Sequence, residues 1–281
     1  MSTLLEIVDL HIGVDDRLLV QGLTLSAPPG AMIALLGPNG VGKTLTLHTL
    51  AGLRPATAGA VRVRGDDVRL LGQRERARRI GLLLQEHDDP FPTTVIETAL
   101  MGRHARLGLW QWETAEDHAA AVAALAQMDL TGTENRLAGT LSGGERRRLG
   151  MATLLVQDAD VLLLDEPLNH LDPGHQFAVI AVLRRLAAEG KTIIASLHDP
   201  ALAVRDFGNA LILYGDGRWQ SGPSETLLDG TTLSGLYGVP FQRYHGENGS
   251  VMLPTPGHAA VAVPGNVTPL RRRPPSGHGA R

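Results

Sequence analysis

An α/β fold built around a parallel sheet with both faces covered is predicted by three observations in the 281-residue chain. Short, nearly uninterrupted apolar runs at residues 31–36, 161–164 and 192–197 suit strands buried on both sides. Between the last two runs lies a helical pattern, with Asp172 as N-cap, Pro173 at the first position and Gly190 at the end. Its apolar stripe is Val179, Val182, Leu183 and Leu186. Strand, crossover helix and strand in that order give parallel neighbours with helices on the faces.

The remaining elements follow along the chain. Residues 4–10 and 18–25 alternate apolar and polar side chains, as half-buried strands do. The run 31–36 ends in Gly37, and a helix is expected from Lys43 to about Leu53, stopped by Gly52 and Pro55. Residues 61–63 and 68–71 read as further short strands. From Pro92 to Thr140 the pattern turns helical: Thr94 with Glu97, and Thr114 with Asp117, have the spacing of capping boxes, and residues 119–128 are rich in alanine. This stretch is expected to form a helical subdomain inserted into the α/β unit. Residues 1–240 are then one domain and 241–281 a C-terminal extension. From Pro254 onward the extension is dense in proline, glycine and small residues, so its last part is expected to be a flexible tail, with Arg271, Arg272 and Arg273 as a solvated charge run.

Bulk composition narrows the function. A net charge of -3 gives no reason to expect a nucleic-acid partner. Cysteine is absent, which excludes disulfides and thiolate metal sites. Glu6 and Asp9 break the only early apolar run, so no secretory signal is visible. No stretch approaches the roughly 18 apolar residues of a membrane-spanning helix. Action on a membrane would need another polypeptide.

Gly37-Pro38-Asn39-Gly40-Val41-Gly42-Lys43-Thr44 fits the pattern G-x-x-x-x-G-K-[ST] between a buried strand and a helix. Glycines let the backbone curl so that successive N–H groups point at phosphate oxygens, and the following helix adds its positive end. Lys43 would bridge the β- and γ-phosphates, and Thr44 would place its hydroxyl on Mg²⁺. A second Gly-Lys-Thr, at residues 190–192, has Arg185 where the leading glycine belongs and precedes a strand; it reads as a helix end.

Residues 161–164 deliver Asp165 and Glu166 to a strand end. An aspartate there can hold Mg²⁺, and Glu166 is placed to orient, or take a proton from, water attacking the γ-phosphate. His198 closes the next strand and should reach the same edge of the sheet. Ser142, Gly143, Gly144 and Glu145 make a capping box at a glycine-rich helix start, which is itself an anion site. A second phosphate-binding helix end without its own nucleotide suggests head-to-tail pairing of two copies.

These motifs together resemble the ATPase subunits of ABC transporters over about residues 4–240. The resemblance implies a P-loop NTPase core with a mixed sheet, a small antiparallel β subdomain and the inserted helical subdomain. It makes residues 37–44 the Walker A loop, 161–166 the Walker B strand, 141–145 the signature and 169–172 the D-loop. Gln85 becomes the Q-loop glutamine sensing γ-phosphate and metal, and His198 the switch histidine. It implies ATP and Mg²⁺, a homodimer of ATPase subunits, transmembrane permease subunits, and indirectly a solute-binding protein. The chain would lie on the cytoplasmic face of the cell membrane.

Within the family, Thr94-Val95-Ile96-Glu97 with Gly102-Arg103, Leu197-His198-Asp199 and Tyr237-Gly238-Val239-Pro240 are similar to subunits powering uptake of iron–siderophore, haem or cobalamin. Three positions depart from the family pattern. Val14 stands where an adenine-stacking aromatic is usual, Leu45 where a second hydroxyl contacts the α-phosphate, and Arg147 where glutamine is common. At Leu45 the backbone N–H remains for the nucleotide; Arg147 is expected to contact nucleotide or to lie on the helix surface. Alternatives are an ABC ATPase of another transporter class, a nucleotide-gated protein with little hydrolysis, and a soluble ABC protein acting on DNA or ribosomes. For the last, Arg74, Arg76, Arg78 and Arg79 are the best support, although a solvated helix face accounts for them too.

Overall fold

The computed structural model describes residues 3–15, 17–84, 92–108, 110–246 and 249–255. Two strands, Leu5–Val14 (β1) and Arg17–Ala27 (β2), precede Met32–Leu36 (β3), the helix Lys43–Leu50 (α1), Ala58–Val63 (β4) and Asp66–Asp67 (β5). Gln73–Arg79 (α2) and Ile80–Leu83 (β6) follow, then the helices Val95–Leu100 (α3), Ala115–Gln127 (α4) and Gly143–Gln157 (α5). Next come Val161–Leu164 (β7), Pro173–Ala188 (α6), Thr192–Ser196 (β8), Pro200–Asp206 (α7), Asn209–Leu213 (β9) and Trp219–Pro223 (β10). Ser224–Leu227 (α8), Gly230–Tyr237 (α9) and the hairpin Phe241–Gly246 (β11) with Gly249–Pro254 (β12) complete the described chain.

The large sheet has six strands in the order β10-β9-β3-β8-β7-β6. β9, β3, β8, β7 and β6 run parallel, and β10 joins antiparallel at the edge. A second, antiparallel sheet has the order β2-β1-β4-β5. The predicted mixed sheet with a small antiparallel companion is what the chain forms.

Continuous apolar runs arise because both faces of the large sheet are covered. Met32, Ala34 and Leu36 of β3 join Leu162, Leu164, Ile193 and Ala195 in a core roofed by α3 to α7. The alternate residues, Ile33, Leu35, Leu163 and Ile194, face the other way, onto Leu47 and Leu50 of α1 and Leu5, Ile7 and Leu10 of β1. α3 and α4 pack on α5, and the capping boxes at Thr94, Thr114 and Ser142 are all made.

Two local expectations change. α1 stops at Leu50, because Gly52 takes a left-handed φ of 67° and the Gly52 and Leu53 amides close back on Thr49 and His48 carbonyls. No strand covers 68–71: the Asp67 carboxylate accepts from the Arg69 amide and turns the chain, burying Val68 and leaving Leu70 exposed. Past Pro240, β11 and β12 form an ordered hairpin whose Met252 enters the large core and whose β12 lies on α7. Gln85 and residues 256–281 lie outside the described residues. Among the described residues no helix is long and apolar enough to cross a membrane.

Candidate nucleotide site

β3 hands the chain to residues 37–42, which curl before α1 begins at Lys43. Two glycines are required by this path. A Cβ on Gly37 would lie 2.5 Å from the Leu213 carbonyl oxygen, and Gly42, the N-cap, has φ 102° with Leu19 Cδ1 packed where a side chain would go. Lys43 is buried, with Nζ donating to the Gly37 carbonyl at 2.8 Å and the Pro38 carbonyl at 3.2 Å. Burial pushes its pKa below the ordinary lysine value, with the charges of Glu166 and Asp165 pulling the other way.

The strand ends beside this loop hold the acids. β3, β8 and β7 are neighbours, so Gly37, His198 and the Asp165–Glu166 pair emerge at one edge of the sheet. Asp165 is 1% exposed. It accepts from Thr44 Oγ1 and from Ser196 Oγ, each at 2.6 Å, one on each carboxylate oxygen. Ser196 Oγ in turn accepts from the Glu166 amide at 2.8 Å.

Glu166 sits at φ 53°, a left-handed conformation costly for a residue with a side chain. That turn aims its carboxylate into the site, where Oε1 meets His198 Nε2 at 2.6 Å and Oε2 accepts from Asn169 Nδ2 at 2.5 Å. Asn39, Gly40, Gly42, Lys43, Thr44, Leu45, Glu166 and His198 line one open cavity of about 480 Å³. Its size and its row of loop amides suit a polyphosphate.

Ser142, Gly143 and Gly144 do not line that cavity. They open α5, where Gly144 packs so closely that a Cβ would sit 3.0 Å from the His170 carbonyl oxygen. Gly143 faces open space. One copy therefore keeps the N-terminal end of α5 apart from its own phosphate loop. Leu45 and Val14 are both partly buried against the core beneath the antiparallel sheet.

Arg147 is neither on the surface nor at the nucleotide cavity. It is buried, donates to the Leu84 carbonyl and has its pKa lowered to about 10 by burial, with Asp165 and Glu166 opposing that shift. Ser196 was not singled out in the sequence, although it joins both acids. The only signal was a hydroxyl at the end of an otherwise apolar strand.

Thr44 and Asp165 offer a hydroxyl and a carboxylate, both hard oxygen donors, 2.6 Å apart beside the cavity. Mg²⁺ typically takes one or two such ligands together with substrate phosphates and water, so the donor set fits it.

The ABC transporter family profile matches residues 20–169. The chain is 36% identical over 247 residues to the hemin import ATP-binding protein HmuV of Streptomyces coelicolor, covering 87% of each chain. It is 34% identical to the ferric enterobactin transport ATP-binding protein FepC of Escherichia coli, over 82% of this chain and 85% of that one. Among solved structures it is similar to a metal-chelate type ABC transporter in an inward-facing conformation, with TM-score 0.78, 25% identity, and coverage of 90% of this chain and 98% of that one. A nucleotide-free ATP-binding cassette from an ABC transporter shares the fold, at TM-score 0.72 and 20% identity, over 83% of this chain and 98% of that one. The chain belongs to the ABC transporter family, as one of its ATP-hydrolysing subunits.

Proposed function

We propose that this ATPase energises uptake of a metal chelate, such as an iron–siderophore complex, haem or cobalamin, as a homodimer on the cytoplasmic face of the cell membrane. The observation that carries the reading is the division of phosphate-binding parts within one copy. Lys43, Thr44, Glu166 and His198 line the cavity, with Asp165 bonded to Thr44 behind it, while the Ser142–Gly144 helix end stands away from it. Two copies arranged head to tail would bring each helix end to the other's γ-phosphate. Relatives named for import of hemin, cobalamin and ferric enterobactin support the class of solute.

In this reading the loop amides and Lys43 hold the triphosphate. Thr44 and Asp165, with Gln85, would hold Mg²⁺, which when bound would offset phosphate charge. Glu166 orients the attacking water and takes its proton, held in place by His198 and Asn169. Closure of the dimer is transmitted through the helical subdomain to permease subunits, which receive solute from a binding protein. The assignment of residues 92–140 as that subdomain, and of 241–281 as an extension of the 1–240 domain, is part of the proposal.

Glu166→Gln tests it. Hydrolysis should fall by about 10²–10⁴ while ATP binding persists. With ATP and Mg²⁺ the variant should become dimeric by light scattering, and it should co-purify with a polytopic membrane subunit. A variant that stays monomeric, both at high concentration and with the membrane subunit, would overturn the dimer; retained turnover would overturn Glu166 as base.

A further inference from the structure

Beyond the residues matched by the family profile, one side chain of the C-terminal part reaches the phosphate loop. α9 ends at Tyr237, whose ring packs on the large core with its centroid 5.8 Å from that of Phe241. The helix is held in one orientation. Asp229 caps it, and Ser234 Oγ donates to the Gly230 carbonyl while accepting from the Phe241 amide. Gly230 lies so close to β11 that a Cβ there would come within 2.8 Å of the Phe241 carbonyl oxygen.

Held in this way, the Tyr237 hydroxyl is sealed from solvent, turned to the backbone of Gly37, and without a partner at full hydrogen-bond geometry. The charge of Asp199, the residue after His198, also acts on it. Burial pushes the phenol up to about 12, so it is neutral across the physiological range. A buried hydroxyl left short of a partner is costly, and phenylalanine would fill the same space without that cost. The position of the hydroxyl gives it a use. Gly37 is the residue whose carbonyl holds Lys43 Nζ. That carbonyl and the Gly37 N–H belong to adjacent peptide groups where the chain leaves β3, so a partner for the N–H holds the start of the phosphate loop.

We infer that Tyr237 is a positioning residue for the nucleotide, its hydroxyl accepting the Gly37 N–H to hold the phosphate loop in its ATP-bound shape. The end of α9 thereby becomes part of the nucleotide site. The inference rests on ATP being the ligand of the cavity, as proposed above.

Tyr237→Phe keeps the ring and removes one oxygen. In the full-length chain assembled with its membrane subunits, the KM for ATP and the Kd of a fluorescent ATP analogue should rise about three- to tenfold, the scale of one hydrogen bond. The kcat should change by less than about twofold, since no reacting atom is touched. Without nucleotide, Tm should hold or rise, and the increase in Tm on adding ATP should shrink. Phe241→Leu disturbs the same packing but keeps the hydroxyl; it should lower Tm and leave KM unchanged. An unchanged KM in Tyr237→Phe overturns the inference whichever way Tm moves. So does an equal KM rise in Phe241→Leu, which would make packing the cause. Wild-type protein that fails to bind the analogue would instead defeat the nucleotide reading itself.

Discussion

Lys43 shows how a binding residue is kept at a cost to the fold. Its ammonium is buried in the protein and held by two carbonyls. A lysine with a lowered folded-state pKa carries a burial cost in full while it is charged in both states. Between the folded pKa and the ordinary value of 10.5 the unfolded chain holds more protons, so stability rises with pH in that window. Lys43→Met should therefore be more stable than the wild type at neutral pH without nucleotide, and the gap should close toward pH 10.5. Paired urea melts across that range measure it; a gap that is constant in pH would remove burial of the charge as the cause. The same variant should show no ATP hydrolysis above background. Asp165 follows a related logic, fixed by the Thr44 and Ser196 hydroxyls from other elements, while Glu166 is held by His198 from the next strand end and by Asn169, three residues on.

Helix starts carry two kinds of work at the scale of the element. α4 and α5 open with the same capping box, Thr114 with Asp117 and Ser142 with Glu145. Each hydroxyl satisfies an amide that the helix leaves unpaired, so its loss costs about 1 kcal/mol, or about 2–4 °C in Tm for a chain of this size. Thr114→Ala should show that loss with normal ATPase activity. Ser142→Ala should show the same loss of stability and a fall in ATPase activity as well, because its helix end is proposed to meet a partner's γ-phosphate. Thermal melts beside a phosphate-release assay separate the two. Equal ATPase activity in both variants would leave Ser142 as a cap and nothing more.

Across the whole molecule, the large sheet divides the protein into two cores, and the C-terminal hairpin completes one of them. Met252 is 2% exposed and packs in the same core as Phe207 and Leu233. Met252→Ala should cost about 2–5 kcal/mol in a denaturant melt, as other buried truncations do. Tyr244→Ala, at an exposed position of the same hairpin, should stay within about 0.5 kcal/mol. If both variants melt like the wild type, the hairpin is an appendage and not part of the core.

Contiguous motifs were legible because their physics is local. A loop that curls on glycines, a cap three residues from its amide, and a strand buried on both faces each declare themselves within a few residues. Hence the phosphate loop, the acid pair, all three capping boxes and the buried strands β3, β7 and β8 could be read from the chain alone. What folding decided are contacts between residues far apart in sequence. Ser196 joins Asp165 and Glu166 from the neighbouring strand, and Arg147 turns inward to Leu84. Tyr237 faces Gly37, and two short strands pair into a hairpin that buries Met252. No local pattern encodes these, because each depends on which elements the sheet places side by side.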